Sequence, residues 1–79
     1  MWRIEYDRSV RNYIYDSYPY TEKIWQTIKS LRHTDSGIPD SDVRQLEADV
    51  FLWTVEEHEV IYRRLHAERI LRFLVLKPK

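Results

Sequence analysis

Cysteine is absent from the 79 residues, and glycine occurs once. The first absence removes any disulfide framework and any thiolate metal site, and it suits a reducing compartment. The second excludes glycine-rich phosphate loops. No apolar run approaches the roughly 20 residues of a membrane span, and the N-terminus shows no signal-peptide pattern, so a cytoplasmic protein away from membranes is expected. His33, His58 and His66 lie in separate segments, and no His-x-x-x-His pair occurs, so neither a metal nor a cofactor is expected. Net charge is also missing: 13 Lys and Arg balance 13 Asp and Glu. That balance argues against generic coating of nucleic acid, whose affinity comes from released counterions.

The charges are nonetheless segregated. Residues 35–58 carry seven acids (Asp35, Asp40, Asp42, Glu47, Asp49, Glu56, Glu57) against Arg44 alone, a net of −6. Residues 59–79 carry six cations (Arg63, Arg64, Arg69, Arg72, Lys77, Lys79) against Glu59 and Glu68, a net of +4. One local basic patch is compatible with that pattern.

What is present is a run of strands. Phe51, Trp53 and Val55 alternate with Leu52, Thr54 and Glu56, and Val60, Tyr62 and Arg64 alternate with Ile61, Arg63 and Leu65. Period-two alternation marks a strand with one buried face. Ile70 to Leu76 is apolar except at Arg72, which predicts a strand covered on both faces. The short polar breaks Glu57–Glu59 and His66–Glu68 predict hairpins, hence an antiparallel meander.

Upstream, Trp2 to Asp7 alternates strictly and reads as a first strand with Trp2, Ile4 and Tyr6 on its covered face. Asp7 or Ser9 can cap a helix whose buried face is Val10, Tyr13, Ile14 and Ser17, and Pro19 ends it near Tyr18. Thr21 is a candidate N-cap for a second helix with Ile24, Ile28 and Leu31 inward. Thr34 to Ser41 is a loop by composition, Asp42 to Leu46 a short strand, and Glu47–Asp49 a turn. The tail Lys77–Lys79 is expected to fray. The whole predicts one domain over residues 1–79, of order β-α-α-β-β-β-β. This is an α+β fold with a helical hairpin packed on a twisted antiparallel sheet.

Three passages resemble the RelE/ParE superfamily of bacterial toxins, on its YoeB/RelE side. They are Met1 to Tyr6 followed by Ser9 to Tyr15, the helix Lys23 to Leu31, and Leu46 to Tyr62 with its Val55-Glu56-Glu57-His58-Glu59-Val60-Ile61-Tyr62 core. The resemblance implies the toxin, or a toxin-derived member, of a toxin–antitoxin pair. It further implies a cognate antitoxin protein as partner and, for active members, cleavage of mRNA on the ribosome. That chemistry needs a base for the ribose 2′-hydroxyl, cations for the phosphate and an acid for the leaving oxygen. Carried over, His58, Glu57 and Arg64 are the candidate catalytic residues, and Arg44, Lys77 and Lys79 the candidate phosphate- and RNA-binding ones. The chain departs from the pattern at Leu52 and Thr54, where the family is basic, and at Glu59, where it has arginine. A carboxylate there repels the phosphate an arginine fork would hold, so whether the chain is an enzyme is left open. The competing reading is a non-catalytic module of the same fold that binds an antitoxin or gyrase. A third is a weak homodimer through the exposed edge Asp42–Leu46.

Overall fold

The computed structural model describes all 79 residues. Its elements are β1 (Arg3–Tyr6), α1 (Arg8–Asp16), α2 (Glu22–Ser30), a 3₁₀ turn (Leu31–His33), β2 (Val43–Glu47), β3 (Val50–Val55), β4 (His58–Leu65) and β5 (Ile70–Pro78). One five-stranded sheet runs in the order β1-β5-β4-β3-β2. β2 to β5 form the expected antiparallel meander, whereas β1 pairs with β5 in parallel, so the sheet as a whole is mixed. The helices carry the chain from β1 at one edge to β2 at the other. The meander then returns to β1 with β5 pointing the same way, a connection too long for a hairpin.

Both helices pack on one face. Val10 and Ile14 of α1, and Ile24, Ile28 and Leu31 of the second helical segment, are buried against Phe51, Trp53, Val60, Tyr62, Leu71 and Phe73. The inward residues of β3 and β4 are the alternating set expected. β5 differs: Leu71 and Phe73 are fully buried, but Leu74 and Val75 are only half-buried and Arg72 is exposed. No layer covers the second face. Its apolar residues shelter one another instead of lying beneath a second layer.

Turn chemistry sets several boundaries. Glu56 and Glu57 both have positive φ, at 47° and 62°, the sign pattern of a two-residue hairpin turn matched to strand twist. The turn is therefore Glu56–Glu57, and His58 is already in β4, opposite Val55. The tail does not fray: Pro78 pairs with His58, and the Lys79 amide donates to the Glu57 carbonyl at 2.9 Å. Thr21 occupies the N-cap position of α2, its carbonyl accepting from the Trp25 amide at 3.0 Å, but its side chain does not cap the helix. It is buried, and its hydroxyl donates to the Ile14 carbonyl at 2.6 Å, tying the two helices at their junction.

The loop after the helices is part of the core. Trp2 Nε1 donates to the Thr34 carbonyl at 2.9 Å, Tyr62 Oη to the Gly37 carbonyl at 2.7 Å, and an Arg64 guanidinium N–H to the Ser36 carbonyl at 2.8 Å. Gly37 has φ +70°, and a Cβ there would lie 3.0 Å from both Leu71 Cδ2 and Trp2 Cε2. Those side chains are themselves buried and cannot swing aside. Gly37→Ala is expected to cost about 2–4 kcal/mol, the sum of left-handed backbone strain and overpacking. Urea unfolding measures it, and a loss under about 0.5 kcal/mol, the scale of an ordinary surface change, would contradict the packing described.

Candidate functional site

The uncovered sheet face is the broadest functional candidate, and alternation decides what it displays. Leu52 and Thr54 alternate with inward Phe51, Trp53 and Val55, while Glu59, Ile61 and Arg63 alternate with inward Val60 and Tyr62. Cross-strand register then sorts the face into rows. The middle row is Arg44–Leu52–Ile61–Val75. On one side lies Thr54–Glu59–Lys77, and on the other Glu47–Val50–Arg63–Arg72–Glu5. Leu52, Ile61 and Val75 are half-exposed neighbours, so the middle row is an apolar strip framed by charge.

The framing charges neutralise one another. Lys77 Nζ lies 3.8 Å from Glu59, and Arg63 lies 3.9 Å from Glu47. Arg72 meets Glu5 at 2.7 Å, and Arg3 meets the same carboxylate at 3.1 Å. The Arg72 hydrogen bond holds the Glu5 carboxyl below the usual carboxylate range, and Glu5 raises the Arg72 guanidinium in return. Among the cations of these rows only Arg44 has no carboxylate partner. A surface neutralised in this way presents little positive field to a phosphate backbone.

Of the six residues singled out from sequence, Glu57, His58, Lys77 and Lys79 meet where the β3–β4 hairpin pairs with the end of β5, while Arg44 and Arg64 lie elsewhere. His58 is not the exposed hairpin residue that its acidic neighbours suggest: it is fully buried. Its Nδ1 lies 2.8 Å from the Glu56 carbonyl, which can only accept, so that nitrogen carries the proton. Nε2 is left to accept the Tyr13 phenol proton at 2.9 Å, and burial pushes that phenol's pKa up, favouring the protonated donor. The rings of Tyr13 and Tyr20 flank the imidazole at 5.7 and 5.5 Å. Nδ1 thus braces the hairpin turn itself and Nε2 ties the hairpin to α1, so both ring nitrogens are used.

Arg64 points to the core side of the sheet, away from Arg63. Its Nε donates to Asp49 at 3.0 Å, and its guanidinium reaches Ser36 and lies over the Phe51 ring at 5.4 Å. The ion-pair partners of Arg63 and Arg64 are Glu47 and Asp49. Glu57 is exposed at the turn, and Lys79 extends past it at the strand end. Arg44 on β2 and Lys77 on β5 are three strand spacings apart, roughly 14 Å at the usual interstrand distance. Glu57, Lys77 and Lys79 thus lie near one another at that end of the sheet, but His58 is buried beneath it, Arg64 turns to the core side and Arg44 sits across the sheet. No group of three His, Cys, Asp or Glu is placed to hold a metal.

In the sequence Leu52, Thr54 and Glu59 stand out only as departures from a catalytic pattern; in the structure they sit beside Ile61 and Val75. The signal was available in the alternation, but the lateral register that joins three strands into one strip is a tertiary property.

No protein-family model matches the sequence, and no curated protein matches it significantly. A solved structure does: a chain of the archaeal RelE–RelB complex from Pyrococcus horikoshii OT3. It superposes with a TM-score of 0.78 at 18% identity, over 98% of this chain and 93% of that one. The fold is RelE-like: two helices on a five-stranded mixed sheet.

Proposed function

We propose that this chain is a toxin-derived member of a toxin–antitoxin pair that acts through protein contacts and not by cutting RNA. Its partner is an antitoxin-type protein with an amphipathic segment, and its compartment the cytoplasm. The observation that carries the reading is the open sheet face. It offers an apolar strip of Leu52, Ile61 and Val75 inside a frame of mutually neutralised charges. An amphipathic helix or strand buries such a strip, and its rim charges fix register against the framing rows. Support for the partner class is the RelE-like fold and the neighbour's own assembly with RelB. Support for the non-catalytic side is the commitment of His58 and Arg64 to internal contacts, with Glu59 and Lys77 paired to each other.

Co-expression with a short antitoxin-type protein encoded beside its gene tests the proposal. The two are expected to co-purify, and Leu52→Asp with Ile61→Asp is expected to break the complex while circular dichroism keeps its wild-type form. Losing two desolvated aliphatic contacts and burying two charges weakens binding by at least roughly a hundredfold. Primer extension on translated mRNA is expected to show no new ends. New cuts on expression, or a complex indifferent to the double substitution, would reject the reading.

A further inference from the structure

A second groove lies at the far edge of the molecule, between β1 and α2, and its chemistry is unlike that of the open face. It is a cleft of about 500 Å³ floored by Ile4, Tyr6 and Trp25, with Lys29 and Arg32 on its helical wall. No carboxylate lines it. Lys29 and Arg32 have no ion-pair partner, in contrast to the paired cations of the sheet rows.

The edge strand is chemically open along this groove. The Arg3 and Asp7 amides donate to Arg69 and Phe73 carbonyls, so odd-numbered peptide groups of β1 face β5. Even-numbered ones face outward, and the Trp2 amide shows this by donating to the Arg32 carbonyl at 3.0 Å. That bond closes one end of the edge. The peptide groups of Ile4 and Tyr6 then point away from the sheet, beside an apolar floor and two unpaired cations.

We propose that this groove binds an extended acidic segment of a partner protein, which adds to β1 as a sixth strand. Its backbone pairs with Ile4 and Tyr6, one apolar side chain rests on Ile4, Tyr6 and Trp25, and its carboxylates meet Lys29 and Arg32. Strand addition supplies affinity through the main chain and specificity through alternate side chains. The two unpaired cations could also attract RNA, but the aromatic faces are taken. Lys29 sits 4.5 Å over the Trp25 ring, Arg69 sits 4.0 Å over Trp2, and Trp25 Nε1 is bonded to the Tyr6 phenol at 3.1 Å. Bases would have no platform on which to stack. The groove is separate from the Leu52–Ile61–Val75 strip and does not depend on it.

The test uses the full chain and a fluorescent decapeptide that alternates Asp or Glu with Val or Leu. Saturable binding is expected by anisotropy, weakening as salt rises. Lys29→Glu with Arg32→Glu is expected to reduce affinity roughly tenfold or more, since two attractive surface pairs become repulsive. N-methylation of alternate peptide amides is expected to abolish binding in one of its two registers, while Leu52→Asp with Ile61→Asp leaves affinity unchanged. No binding at millimolar peptide overturns the proposal. So does equal binding by both N-methylated peptides, indifference to charge reversal, or tighter binding of a single-stranded RNA decamer. Concentration-dependent self-association that the peptide cannot displace would assign the edge to a second copy instead.

Discussion

Trp2→Ala is expected to lower stability by about 3–5 kcal/mol, as large-to-small changes at a buried aromatic do. Trp2 is 1% exposed, and its indole is held from three sides. Its Nε1 donates to Thr34, the Arg69 guanidinium covers one face at 4.0 Å, and the His66 ring lies 5.7 Å away. The indole also packs against Gly37. Truncation therefore opens a cavity and releases one anchor of the loop that closes the core. At the usual margin per residue, a chain of 79 residues is stable by roughly 4–12 kcal/mol, so this one change removes much of the total. Trp2→Phe keeps most of the volume but leaves the Thr34 carbonyl without its donor, and is expected to cost about 1–3 kcal/mol. Guanidinium unfolding measures both. An alanine variant within about 1 kcal/mol of wild type, the middle of the range for point changes, would contradict the anchoring role given to this indole.

The second large effect is a gain. Leu52→Lys, Thr54→Lys and Glu59→Arg together replace the neutral centre of the open face with basic groups and free Lys77 from its 3.8 Å partner. If the face lacks RNA affinity because its charges cancel, this variant is expected to bind single-stranded RNA roughly 10–100-fold more tightly at low salt. Its log–log salt dependence should steepen by about 2, close to three new phosphate contacts at ~0.7 each. Filter binding between 50 and 200 mM salt reads both quantities. An unchanged slope would show that charge cancellation is not what limits RNA binding. Cleavage is not expected to return, because His58 is fully buried and both its nitrogens are bonded internally.

Much of the fold was legible in the sequence for a simple reason: alternation and helical spacing report burial directly. Phe51, Trp53, Val55, Val60 and Tyr62 all face inward as their spacing predicts, as do Ile24, Ile28 and Leu31. The misreadings share a cause. His58 sits between acids, so local composition reads as a surface turn, yet positive φ at Glu56 and Glu57 places it one residue later, on the inward face of β4. The apolar run of β5 reads as a strand covered twice, yet its second face is only half-sheltered by Ile61 and its own neighbours. The parallel pairing of β1 follows from where a long crossover ends, which no local pattern encodes. The tail is ordered because Lys79 finds the Glu57 carbonyl, a partner distant in sequence.

The candidate site was less legible than the fold. Resemblance supplied residue types for phosphoryl chemistry, but their grouping depends on which face of which strand each occupies. Arg64 and His58 face the core, Arg44 and Lys77 face outward on strands separated by two others, and Glu57 caps a turn. What the outward residues do form is a strip with neutralised borders, visible only after lateral register is known.

The proposed protein-binding role is tested most directly by methyl NMR of the labelled chain, titrated first with the proposed antitoxin-type partner and then with single-stranded RNA at physiological salt. It predicts that the methyl signals of Leu52, Ile61 and Val75 shift with the protein and stay in place with the RNA. Shifts of those three methyls on adding RNA, or a protein complex that leaves them undisturbed, would contradict it.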